Sequence, residues 1–205
     1  MAPKEPIEGK QMSRYIDEFI HDSRAPDMLR WKLFPNAKEI TESFSAYAIV
    51  RDVLGLDLSD PTIAVLCVGD GRVPRTAATF ALRSAWTCFS VDPAMKVRWG
   101  SSFVDGKHRC VIPRVHAYRA KVLDVGGWRP DALHVQAFRH CVVVAVHSHA
   151  SLRASIRVAQ LLAPCVSVVS MPCCFKDDMG NADVIYDDMN VSSPHRRVYV
   201  WKDVK

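Results

Sequence analysis

The residues with most chemical potential in this 205-residue chain stand at the ends of two apolar runs. The run at 141–146 passes into His147-Ser148-His149, and Cys165–Met171 passes into Pro172-Cys173-Cys174. An imidazole titrates near neutral pH, so His147 or His149 suits a general base that draws a proton from an oxygen or nitrogen nucleophile. A thiolate at Cys173 or Cys174 suits attack on an electrophilic ring. Together the four match the composition of a Cys₂His₂ zinc set, although His-x-His and adjacent Cys-Cys are unusual zinc spacings whose side chains diverge awkwardly. The plainer alternative is that all four are hydrogen-bonded strand-end residues lining a pocket.

A second constellation lies earlier. Val65-Leu66-Cys67-Val68 runs into Gly69-Asp70-Gly71, and a later apolar run ends at Asp92-Pro93. Glycines at 69 and 71 allow a sharp bend and close approach of backbone to a ligand. A carboxylate about twenty residues beyond such a bend is placed to accept hydrogen bonds from a ribose diol. The competing reading is a plain turn, with Asp92 capping a helix.

These groups need elements to hold them. Met12, Tyr15, Ile16, Phe19 and Ile20 have helical spacing. Pro26 and Pro35 interrupt the next stretch. Ile40, Phe44, Tyr47, Val50 and Leu54 predict a helix over 37–54, with Gly55 as its stop. Ile63–Val68 and Thr87–Val91 read as buried strands flanking a helix over 76–84. A strand is expected within 115–122 and ending at Asp124, then strands at 141–146 and Cys165–Met171 around a helix over 151–162. Asp177, Asp178, Asp183, Asp187 and Asp188 read as a solvated acidic loop, and Arg197–Trp201 as a final edge strand. Alternating strands and helices imply parallel pairing through right-handed crossovers. The expected fold is therefore α/β: a Rossmann-like three-layer sandwich with a mostly parallel central sheet and an N-terminal helical extension. Residues 1–10 read as a disordered tail, 11–60 as the helical extension and 61–205 as the Rossmann-like part, all in one compact domain.

The stretch Val65-Leu66-Cys67-Val68-Gly69-Asp70-Gly71, followed by Ser90-Val91-Asp92, resembles the first two motifs of class I S-adenosylmethionine-dependent methyltransferases, over roughly residues 40–205. The resemblance implies that the glycine bend faces the amino-acid part of S-adenosylmethionine and that the second-strand acid holds its ribose. Cys67, Gly69, Asp70, Gly71, Asp92 and Pro93 would then line the cofactor, Asp124 would approach the adenine, and His147 would stand by the methyl group. The catalytic candidates are His147, His149 and Cys173. The His-containing fourth-strand end and the Cys-Cys resemble a subset of this family that includes RNA-directed members. Some of those, acting on cytosine C5, attack the ring with a cysteine after the corresponding strand. Here the usual third glycine is replaced by Val73-Pro74-Arg75. That stiffer turn argues against the pyrophosphate of NAD or FAD and tolerates a phosphate-free cofactor. Asn/Asp-Pro-Pro-Tyr/Phe is missing from the fourth-strand end, which argues against amino-group methylation of bases. The implied ligands are S-adenosylmethionine and S-adenosylhomocysteine, with RNA or a protein as candidate acceptor or partner. The rivals are a catalytically inactive assembly subunit of the same fold and a metal-binding protein built on His147, His149, Cys173 and Cys174.

Composition narrows the classes. The net charge of +5 permits an anionic partner without demanding one. Seven cysteines, an odd number mostly within apolar runs, suggest reduced thiols rather than a disulfide framework. No apolar run nears the roughly 20 residues of a membrane span, and the N-terminus lacks an apolar signal core, so a cytoplasmic location is expected.

Overall fold

The computed structural model describes residues 13–100, 110–122, 138–174 and 179–204. Seven strands form one sheet: β1 (Ile63–Val68), β2 (Thr87–Val91), β3 (Val115–Tyr118), β4 (His140–Val146), β5 (Cys165–Met171), β6 (Val184–Asp187) and β7 (Arg197–Trp201). Their order is β3-β2-β1-β4-β5-β7-β6. The first five are parallel, and β7 runs antiparallel to both β5 and β6. The chain leaves β1 toward β2 and β3 on one side and later returns to β4 on the other. Strand order thus reverses beside β1, and the carboxyl ends there form the crevice position of an open α/β sheet.

Alternation along the strands separates two cores. Ile63, Val65, Cys67, Val142 and Val144 face a layer containing α1 (Arg14–His21), α3 (Ala37–Asp52) and α4 (Arg75–Arg83). Ala64, Leu66, Val68, Cys141, Val143 and Ala145 face α5 (Leu152–Leu162). Both faces of β1 and β4 are covered, which explains why their sequences are unbroken apolar runs rather than alternating ones. The arrangement is a Rossmann-like three-layer sandwich.

Local chemistry places the helices. Asn36 Oδ1 accepts from Glu39 N at 3.0 Å to start α3, and Ser151 Oγ accepts from Ala154 N at 3.3 Å to start α5. Gly55, with φ +64°, turns the chain out of α3. α3 is not a simple amphipathic helix, since every residue from Ile40 to Val50 is buried. It lies against α1, α4 and the β4–β5 part of the sheet.

Three expectations are corrected. Pro26 sits in the first turn of a short helix, α2 (Ala25–Arg30), where its missing N–H costs nothing. The acidic stretch contains β6, and Asp188 is buried, accepting from Tyr15 Oη at 2.5 Å and Ser45 Oγ at 2.6 Å. β7 is an inner strand, because β6 pairs outside it. Asp124 and the proposed tail at 1–10 lie outside the described residues. Among the described residues no helix is long and apolar enough to cross a membrane.

Candidate functional site

Gly69 and Gly71 adopt φ +71° and +81°, and the chain leaves β1 in a tight bend. The bend needs glycine at 69 for a second reason. A Cβ there would collide with the Ser148 side chain, whose Cβ would be 2.8 Å away. The turn after β1 and the end of β4 therefore pack backbone against side chain with no spare space.

Asp92 turns toward this bend. Its Oδ2 accepts from Gly71 N at 2.9 Å and its Oδ1 from Ala94 N at 2.6 Å. Each carboxylate oxygen retains further acceptor capacity. Asp92 borders an open crevice of about 300 Å³, lined also by Gly69, Pro93, Lys121, Val122 and His149. The crevice thus sits over the ends of β1, β2, β3 and β4, where the sequence had suggested a ribose-binding acid.

Asp70 turns into the bend. It is buried, and its carboxylate accepts from Thr76 N at 2.9 Å, Ala77 N at 3.2 Å and Ser90 Oγ at 2.9 Å. Burial pushes this carboxyl above its ordinary value, while the two N–H donors and Arg75 pull it down. The residue that opens α4, Pro74, offers no side-chain cap, and Asp70 supplies it from inside the turn. A helix N-terminus is an anion site because its N–H groups are free and its dipole is positive there. In α4 those N–H groups are already spent on an internal carboxylate. A pyrophosphate would find the Thr76 and Ala77 donors already occupied. Cys67, for its part, is fully buried within β1, and burial raises its thiol well above the ordinary range. It backs the bend rather than reaching the crevice.

β4 and β5 are neighbours, with Val146 opposite Met171, so the two chemically rich strand ends do emerge side by side. They do not form one four-residue cluster. His147 adopts a left-handed backbone (φ +50°), rare for a side chain of this size, while its N–H donates to Met171 O at 2.8 Å. Its imidazole turns to α3, where Nε2 donates to Glu42 Oε1 at 2.6 Å. The His195 ring lies edge-on, 6.0 Å between centroids. Glu42 is 1% exposed and also accepts from Lys38 Nζ at 2.9 and 3.1 Å. Burial would raise its carboxyl, but the donors on His147 and Lys38 outweigh this and hold it below its ordinary value. His147 Nδ1 is buried and has no hydrogen-bond partner among the described residues. The metal reading that included His147 therefore loses this member.

His149 goes the other way. Its Nε2 is 3.3 Å from Cys173 Sγ, while Cys173 Sγ also donates to His147 O at 3.8 Å. Cys174 joins this group, and the ligand atoms of His149, Cys173 and Cys174 all lie within 4.8 Å of one another.

Glu42 is the functional candidate that sequence reasoning missed. Its spacing from Lys38 reads as a solvent-facing ion pair. The available signal was the face of α3 opposite the aromatic stripe. Thr41, Ser43, Ser45, Ala46 and Ala48 are small enough for burial on every side, which leaves Glu42 as a carboxylate inside a buried helix.

No protein-family model matches the sequence, and no curated protein matches it. Among solved structures, the chain is similar to two crystal structures of a point mutant of MtNAS, one of them in complex with S-adenosylmethionine. The first alignment covers 93% of this chain and 69% of that one at a TM-score of 0.48 and 13% identity. The complex aligns over 92% and 70% at a TM-score of 0.49, also at 13% identity.

Proposed function

We propose that the chain binds S-adenosylmethionine in the crevice over Asp92 and transfers its methyl group to an acceptor presented near the ends of β4 and β5. One observation carries this reading. The crevice offers a ribose-accepting carboxylate beside a glycine bend, while the adjoining helix N-terminus is filled by Asp70. Such a site favours a nucleoside without phosphates over a dinucleotide or a nucleoside triphosphate. The strand order, with one antiparallel strand next to the edge, agrees with the family that the sequence resembles.

Gly69 and Gly71 would let the backbone approach the amino-acid part, Asp92 would hold the ribose hydroxyls, and Pro93, Lys121 and Val122 would flank the base. Methyl transfer mainly needs the acceptor in line with the sulfonium, so positioning supplies most of the rate. A proton must still leave a neutral oxygen or nitrogen acceptor. His147 is the base assigned to it. Glu42 fixes Nε2 as the protonated nitrogen, which leaves the lone pair on Nδ1, the logic of a carboxylate-oriented imidazole. Because Nδ1 is buried, the groups that cover it must move before an acceptor can reach it.

The test is calorimetry with S-adenosylmethionine, S-adenosylhomocysteine, NAD and ATP, followed by transfer of labelled methyl groups to RNA and protein pools. Saturable binding of the first two, weak or no binding of the phosphate-bearing pair, and label transfer lost in His147→Asn with binding kept would support the reading. Folded protein that gives no heat with millimolar S-adenosylmethionine would sink it.

A further inference from the structure

The second exit from the sheet has its own chemistry. The register of β4 and β5 brings residue 149 and residues 173–174 off the sheet at the same level. Backbone hydrogen bonding from His147 N to Met171 O holds the two exits together. The awkwardness of adjacent cysteine ligands is thereby met by the fold. The two sulfurs and a ring nitrogen of His149 all lie within 4.8 Å of one another.

The geometry points to a thiophilic metal site of the zinc class formed by His149, Cys173 and Cys174. With Zn–S near 2.3 Å and Zn–N near 2.0–2.1 Å, tetrahedral coordination sets an N···S edge of about 3.5 Å and an S···S edge of about 3.8 Å. The observed His149 Nε2 to Cys173 Sγ separation is 3.3 Å, and no pair in the set exceeds 4.8 Å. Small side-chain rotations of exposed or half-buried groups therefore suffice for ligation. Two thiolates and one imidazole form a soft donor set, which selects zinc-like ions over magnesium or calcium. Among the described residues no fourth His, Cys, Asp or Glu joins them. His149 also lines the crevice bordered by Asp92, so the proposed metal site would adjoin it. Binding releases the thiol protons to solvent as the two Sγ–metal bonds form, and nothing is oxidised or reduced.

The experiment uses the full chain, chelator-treated, kept reduced with a phosphine and titrated with Co(II) alone. We expect one Co(II) per chain with a thiolate-to-cobalt charge-transfer band, displaced by Zn(II). Cys173→Ser and Cys174→Ser each remove one of the two thiolates and so about half of the band per bound cobalt, and each weakens binding by at least the roughly 10–100-fold that loss of an outer-shell partner costs. His149→Ala weakens binding comparably and leaves the thiolate band per bound cobalt. Cys165→Ser, at the opposite end of β5, changes neither. A folded protein without a thiolate band would overturn the proposal, and so would a band that survives in the double Cys173→Ser/Cys174→Ser variant. Circular dichroism of each variant separates loss of ligand from loss of fold. Calorimetry with S-adenosylmethionine in the presence of chelator tests the methyl-transfer reading independently, so either can fail alone.

Discussion

Replacing Asp92 separates a ribose ligand from a mere turn stabiliser. Its carboxylate accepts from Gly71 N and Ala94 N, and in the proposed complex it would also accept from two ribose hydroxyls. A hydrogen bond to a charged group contributes about 1.5–3 kcal/mol, and two of them set an upper range of roughly 3–6 kcal/mol. The lower figure is the safer one, because the crevice is open to water and the unbound hydroxyls are well solvated. About 3 kcal/mol corresponds to a loss of affinity of roughly 150-fold. Asp92→Ala should therefore weaken S-adenosylmethionine binding by about two orders of magnitude. It should also cost about 1–3 kcal/mol of stability, since the Gly71 and Ala94 N–H groups lose their acceptor. Asp92→Asn retains one acceptor oxygen and should fall between. The decisive assay is a cycle in calorimetry. Native protein and Asp92→Ala are each titrated with S-adenosylmethionine and with its 2′,3′-dideoxy analogue. The native protein should lose most of its preference for the hydroxylated ligand on mutation. Equal discrimination by a folded Asp92→Ala protein would refute the reasoning, because the carboxylate would then be acting on the bend alone.

Other outcomes follow from the same geometry. Asp70→Ala should destabilise by about 2–4 kcal/mol in urea unfolding, combining a lost helix cap with an orphaned Ser90 hydroxyl, whereas Asp70→Ser restores part of the cap and should be milder. If Asp70→Ala instead keeps full stability but loses cofactor affinity, its carboxylate faces the ligand after all. Gly69→Ala should lower the melting temperature through both the left-handed backbone cost of about 1–2 kcal/mol and the clash with Ser148, and Ser148→Gly should relieve only the clash. Complete rescue would show that the backbone term is negligible. Glu42 has a folded-state carboxyl held below its ordinary value of 4.5, so it contributes stability that is present above that value and is lost as pH falls through the lower, folded value. Urea midpoints measured from pH 7 to pH 3 should therefore drop more for the native protein than for Glu42→Gln, and parallel pH profiles would count against the His147–Glu42–Lys38 linkage.

Much of the sheet was legible because its strands announce themselves locally. β1, β2, β5 and β7 have the bounds that their apolar runs and flanking Gly, Pro and Asp residues predict. β6 was not, because Val184–Asp187 is short, half polar and exposed on alternate residues, and only pairing with β7 makes it a strand. Asp188 misled for a related reason. An aspartate among aspartates reads as solvated until Tyr15 and Ser45 are brought to it from more than a hundred residues away in the chain.

By itself the sequence determined the alternating α/β plan, the sharp bend at Gly69–Gly71 and the acid at the end of β2, because strand propensity, glycine conformations and turn spacing are short-range properties of the backbone. It also assembled the list of groups able to do chemistry. Only the tertiary structure decided where each group points. Asp70 turned inward because α4 begins without a side-chain cap of its own. His147 and His149 parted because a left-handed residue at the end of β4 aims one imidazole at a buried carboxylate on α3 and leaves the other beside the thiols after β5. Those choices depend on which distant elements pack together, and that free energy is shared among residues no local window contains.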